Sequence, residues 1–81
     1  MDKFIVFEFM EWGGDWECVG TFDAMSDAVR CTDQRRETAF EIAFDTFEFA
    51  AHFNQDRNIE VRGETMWAWN IAKVWLPTFG E

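Results

Sequence analysis

Residues 3–22, KFIVFEFMEWGGDWECVGTF, hold two runs rich in β-branched and aromatic side chains, 3–12 and 16–22, separated by Gly13, Gly14 and Asp15. Such runs favour a pleated strand, and the Gly-Gly-Asp link supplies the positive-φ positions of a short loop. An opening antiparallel hairpin is expected. In its first strand Ile5, Phe7 and Phe9 share one face, while Phe4, Val6, Met10 and Trp12 share the other, which Glu8 interrupts. The uninterrupted face is the expected core face.

Beyond Phe22 the period changes. Asp23 and Ser26 both suit an N-cap, and Asp27 suits the positive pole of a helix dipole. Phe40, Phe44, Phe47 and Ala51 recur at i, i+4, i+7 and i+11, flanked by Ala39, Ala43 and Ala50, the spacing of one buried helical stripe. Phe40, Ile42 and Phe44 also alternate as a strand would, but helix is the reading for 38–53. The polar Thr32–Arg36 stretch leaves open whether 26–53 is one helix or two. Ile59 and Val61 alternate with charge in a short strand, 57–62, and Gly63-Glu64 offers a tight turn. Residues 65–76, TMWAWNIAKVWL, read as the last strand because Trp, Ile and Val favour a pleated surface and the preceding strand needs a partner. A helix capped by Thr65, with Trp67, Ile71, Val74 and Trp75 on one stripe, is the alternative. The expected fold is a single α+β domain over 1–81, two layers deep. An antiparallel sheet of about four strands (ββαββ) packs on one or two helices, with Phe40, Phe44 and Phe47 against Ile5, Phe7 and Phe9.

Sixteen acidic and seven basic residues give a net charge of −9, which repels nucleic acid and anionic lipid. Residues 37–56 carry five acids and no base. Within them Glu37, Glu41, Asp45 and Glu48 are spaced 4, 4 and 3, a row of roughly 16 Å along one helix face. Like charges at that spacing weaken a helix by a few tenths of a kcal/mol per pair, so the row marks either an ordinary solvated face or a surface for a basic partner, in the manner of a phosphate backbone. Ten Phe, five Trp and no Tyr exceed what so short a chain buries, so Trp12, Trp67, Trp69 and Trp75 are a second candidate surface, for a partner or a homodimer. Arg30, Arg35 and Arg36 are read as neutralising nearby acids such as Asp27, Asp33 and Glu37.

His52 has no nucleophile or ligand companions at useful spacing and is read as a helix-end group, and Cys18 and Cys31 as small apolar fillers. No phosphate loop, metal-ligand pattern or catalytic constellation is present in the sequence, so neither enzyme activity nor a cofactor is expected. No charged segment followed by an apolar one precedes the cysteines, and the cytoplasm is the expected compartment.

In size, acidity and aromatic richness the chain resembles the small proteins with which bacteriophages and other mobile elements disable host enzymes or defence systems. That resemblance implies an inhibitor that docks on a basic, nucleic-acid-binding surface in the host cytoplasm. It carries over no residue. An antitoxin or immunity-type partner of a basic toxin, and a self-associating structural module, are the alternatives.

Overall fold

The computed structural model describes residues 1–77. Strands β1 (Asp2–Met10) and β2 (Trp16–Phe22) form the opening hairpin, and helix α1 (Met25–Phe47) follows. A 3-10 turn (Glu48–Ala50) leads into β3 (Ala51–Phe53), β4 (Ile59–Val61) and β5 (Glu64–Trp75). The strands make one antiparallel sheet in the order β2-β1-β5-β4-β3, with α1 across one face. The fold is therefore α+β, ββαβββ, one strand richer than expected.

The added strand is the segment assigned from sequence to the end of the helix. Glu48 adopts φ 52° and ψ −128°, which breaks the helical path after Phe47 and turns Ala51–Phe53 to pair with Val61–Ile59. Earlier in the chain α1 is a single helix. Thr32 Oγ1 donates to the Ala28 carbonyl at 2.9 Å and Arg36 pairs with Asp33 one turn back, so the polar stretch stays within the helix. Residues 64–75 are strand because β5 pairs with β1 along its length, from Asp2 opposite Trp75 to Met10 opposite Trp67. β4 reaches β5 through Arg62 and Gly63, both at positive φ (52° and 83°), the conformation of a two-residue type I′ turn. The N-cap is Ala24 with no side-chain bond, not Asp23 or Ser26, and Lys3 holds Asp23 instead.

Two sequence-based packing expectations are corrected. The helix stripe against the sheet is Ala28, Thr32, Ala39 and Ala43, all buried, whereas Phe40 and Phe47 lie at its margin and Phe44 is exposed. On the sheet the core face is the one that Glu8 interrupts. Val6 and Glu8 are buried there, level with Ile71 and Trp69 of β5, while Ile5, Phe7 and Phe9 are half-buried on the uncovered face. The reason is volume. Trp67 and Trp69 fill the space between the layers, so the facing helix positions must be small for the layers to close.

Candidate functional site

At about 100° per residue, Glu37, Glu41 and Asp45 lie roughly opposite the buried Ala stripe. All three face solvent, as does Glu48, which sits past the helix end rather than on it. Among the described residues, six of the seven bases form ion pairs: Lys3–Asp23, Arg30–Asp27, Arg35–Glu8, Arg36–Asp33, Arg57–Asp33 and Lys73–Asp2. None of them reaches Glu37, Glu41, Asp45 or Glu48. The last turn of α1 holds no base, and acids there oppose the helix dipole as well as each other. Glu37, Glu41 and Asp45 are thus a block of uncompensated negative potential on one helix face, with Glu48 just beyond its end.

Aromatic rings border it. Phe53 of β3 stacks on Phe40 at 4.7 Å, Phe40 lies 6.3 Å from Phe44, and Phe44 meets Phe49 edge-on at 6.0 Å. Phe40, Glu41, Phe44 and Asp45 line a shallow concavity of about 500 Å³. Phe49, on the 3-10 turn, is 90% exposed. The sequence reading did not single out Phe49. Its one signal was spacing, since nine residues after Phe40 it falls about 180° from the Phe stripe of a continued helix.

The proposed aromatic surface is dispersed. Trp67 and Trp69 are buried beneath α1 and present no face to a partner in this structure. Trp12, in the hairpin turn beyond β1, packs edge-on against Trp67 at 4.6 Å while remaining 59% exposed, and Trp75 is exposed at the far end of β5.

Between α1 and the hairpin lies a second concavity of about 510 Å³, lined by Glu8, Trp12, Glu17, Arg35, Ile42 and Trp67 among others. Its floor holds the Glu8 carboxylate, which accepts two hydrogen bonds from Arg35 and one from Trp69 Nε1 at 2.9 Å. Burial pushes the Glu8 carboxyl up, but these hydrogen bonds and the guanidinium charge outweigh it and hold Glu8 below its ordinary value. The bond to Glu8 in turn raises Arg35, against its own burial. The carboxylate is therefore fixed and ionised, a clamp between hairpin and helix. Arg35 serves Glu8, not Glu37 as a local reading of the basic cluster suggests. Sequence did carry a signal, a lone acid within an apolar strand face, but nothing in it named the cation.

His52 lies in β3 opposite Glu60, exposed, rather than at the helix end, and Cys18 is exposed on β2 rather than filling a core. Among the described residues no group of three or more His, Cys, Asp or Glu side chains is placed to hold a metal ion. No described helix is long and apolar enough to cross a membrane. No family model, curated protein or solved structure matches the chain.

Proposed function

We propose that this protein is a small acidic binding module. In this reading it acts without catalysis, docking the carboxylate face of α1 on a basic, nucleic-acid-binding surface of a host enzyme or defence complex in the cytoplasm and inhibiting it. The observation that carries the reading is the distribution of charge. Six bases are committed to Asp2, Glu8, Asp23, Asp27 and Asp33, while Glu37, Glu41, Asp45 and Glu48 remain unneutralised along the C-terminal half of the helix and just beyond it. Such a face attracts a cationic surface over a Debye length of about 8–10 Å and accelerates association. The test is capture of the partner from host lysate, followed by binding across a salt series with wild type and with a Glu37→Gln/Glu41→Gln/Asp45→Asn/Glu48→Gln variant. The variant is expected to bind more weakly and with a flatter salt slope. Undiminished binding would remove the acidic face from the interface.

A second observation favours self-association. The sheet face turned away from α1 carries Ile5, Phe7 and Phe9 between Trp16, Cys18 and Thr21 on one side and Ala68, Asn70 and Ala72 on the other, with no charged residue among them. A chain at −9 can approach its own copy most easily across so neutral a strip. Sedimentation equilibrium is expected to show a dimer that Phe7→Ser abolishes. A monomer at high micromolar concentration would exclude it.

A further inference from the structure

We infer that the projecting Phe49 ring and the shallow groove lined by Phe40 and Phe44 are the apolar anchor of the acidic face, and that the partner segment they fit is a basic amphipathic helix. The inference rests on the acidic-face reading and specifies what that face recognises. Phe53, Phe40, Phe44 and Phe49 form a ladder of ring contacts in which Phe40 packs against the core, Phe53 and Phe44 are part-exposed, and Phe49 has almost no cover of its own. The backbone that sets Phe49 there is unusual. Glu48 holds φ 52° and ψ −128°, a region that L-residues seldom occupy, and its N–H still donates to the Phe44 carbonyl. A chain that only needed to end its helix would do so more easily with glycine at that position.

The groove's own composition describes its occupant. Glu41 and Asp45 line the same concavity as Phe40 and Phe44, and Glu37 and Glu48 lie beyond its two ends in sequence. An apolar centre rimmed by charge is the usual anatomy of an energetic hot spot. A purely apolar partner would bury carboxylates without a counter-charge, and a purely basic one would leave the rings wet. A helix with an apolar stripe flanked by Lys or Arg at i, i+4 meets both needs, because its charges then repeat at the spacing of Glu37, Glu41 and Asp45. Between Glu37 and Asp45, the acids that lie on the helix, roughly two helical turns of a partner fit.

The test needs no knowledge of the natural partner. Two synthetic 14-residue peptides of equal positive charge are used, one with Leu at i, i+3, i+4 and i+7 and Lys on the other face, the other with every Leu replaced by Ser. Affinities are measured by calorimetry at 150 mM salt and at concentrations where the peptides are monomeric. The Leu/Lys peptide is expected to bind at least tenfold more tightly than the Ser/Lys peptide. Phe44→Ala/Phe49→Ala should erase that preference while leaving Ser/Lys binding unchanged, with circular dichroism confirming the fold. Equal affinity for the two peptides, or a preference that survives in the double variant, would overturn the anchor. The Glu37→Gln/Glu41→Gln/Asp45→Asn/Glu48→Gln variant should weaken both peptides. If it weakens neither, or if neither peptide binds the wild type, the acidic-face reading fails together with the anchor.

Discussion

Glu8 shows how one side chain fixes the relation of the two layers. Its carboxylate is nearly buried, and its bonds to Arg35 of α1 and Trp69 of β5 tie three elements at one point. Removing only the cation leaves a buried charge behind, whereas replacing the acid by Gln releases a half-exposed guanidinium to water while the amide oxygen can still accept from the buried Trp69 Nε1. Arg35→Ala is therefore expected to destabilise by about 1–2 kcal/mol, less than a fully buried pair because Arg35 is partly solvated, and Glu8→Gln, which keeps an acceptor for Trp69, by less than that. Chemical denaturation that reverses the order would refute the asymmetry. Because the folded carboxyl lies below its ordinary value of 4.5, its contribution is complete above that pH and is lost as pH falls through the lowered value. The stability advantage of wild type over Glu8→Gln should accordingly be flat above about pH 5 and shrink below 4.5. A difference that stays constant down to pH 2.5 would show that Glu8 is not held as an ion.

At the scale of elements, α1 is positioned by size complementarity rather than by hydrophobicity alone. Ala43 is wholly buried in the cluster that contains Trp67 and Trp69, so Ala43→Leu is expected to cost about 1–3 kcal/mol by overpacking, while Phe44→Ala on the exposed side should cost little. Thermal melts that rank the two the other way would restore the Phe stripe as the core contact. The helix start is also open to improvement. Ala24 has extended backbone angles, φ −126° and ψ 139°, but no capping oxygen, so Ala24→Ser should add about 0.5–1 kcal/mol. These two sites also show what the sequence could express. Strand alternation, the Gly-containing turns and a helical period each reflect local backbone preference, and they sufficed for the hairpin and for a helix in the middle of the chain. The unity and end of α1 and the strand state of β5 depended instead on pairing and packing elsewhere in the fold. Which face of β1 meets the helix depends on a cation 27 residues away, and which helix stripe is buried depends on the volume of indoles in another strand. Neither is a local property, so the largest apolar residues pointed to the wrong faces. The acidic row was legible because it needs only a helix and a count of charges. Phe49 was not, because its exposure follows from one strained dihedral at Glu48.

For the molecule as a whole, the placement of charge can be tested without any partner. If bases had been distributed to stabilise the fold, some would stand one turn from Glu37, Glu41 or Asp45, where an oppositely charged pair is worth about 0.2–0.5 kcal/mol. Instead the row repels itself, opposes the dipole at the C-terminal end of α1, and adds to a net charge of −9. A surface kept for binding should therefore be mildly destabilising in isolation. The Glu37→Gln/Glu41→Gln/Asp45→Asn/Glu48→Gln variant is expected to exceed wild type in folding stability by about 0.5–1.5 kcal/mol at 10 mM salt, since several unfavourable pairs and one poor dipole contact are removed together. At 1 M salt the Debye length falls to about 3 Å, and the two proteins should become nearly equal. Stability that drops in the variant at low salt would mean that the carboxylates support the fold itself, and the row would then lose its claim to be held in reserve for a cationic surface.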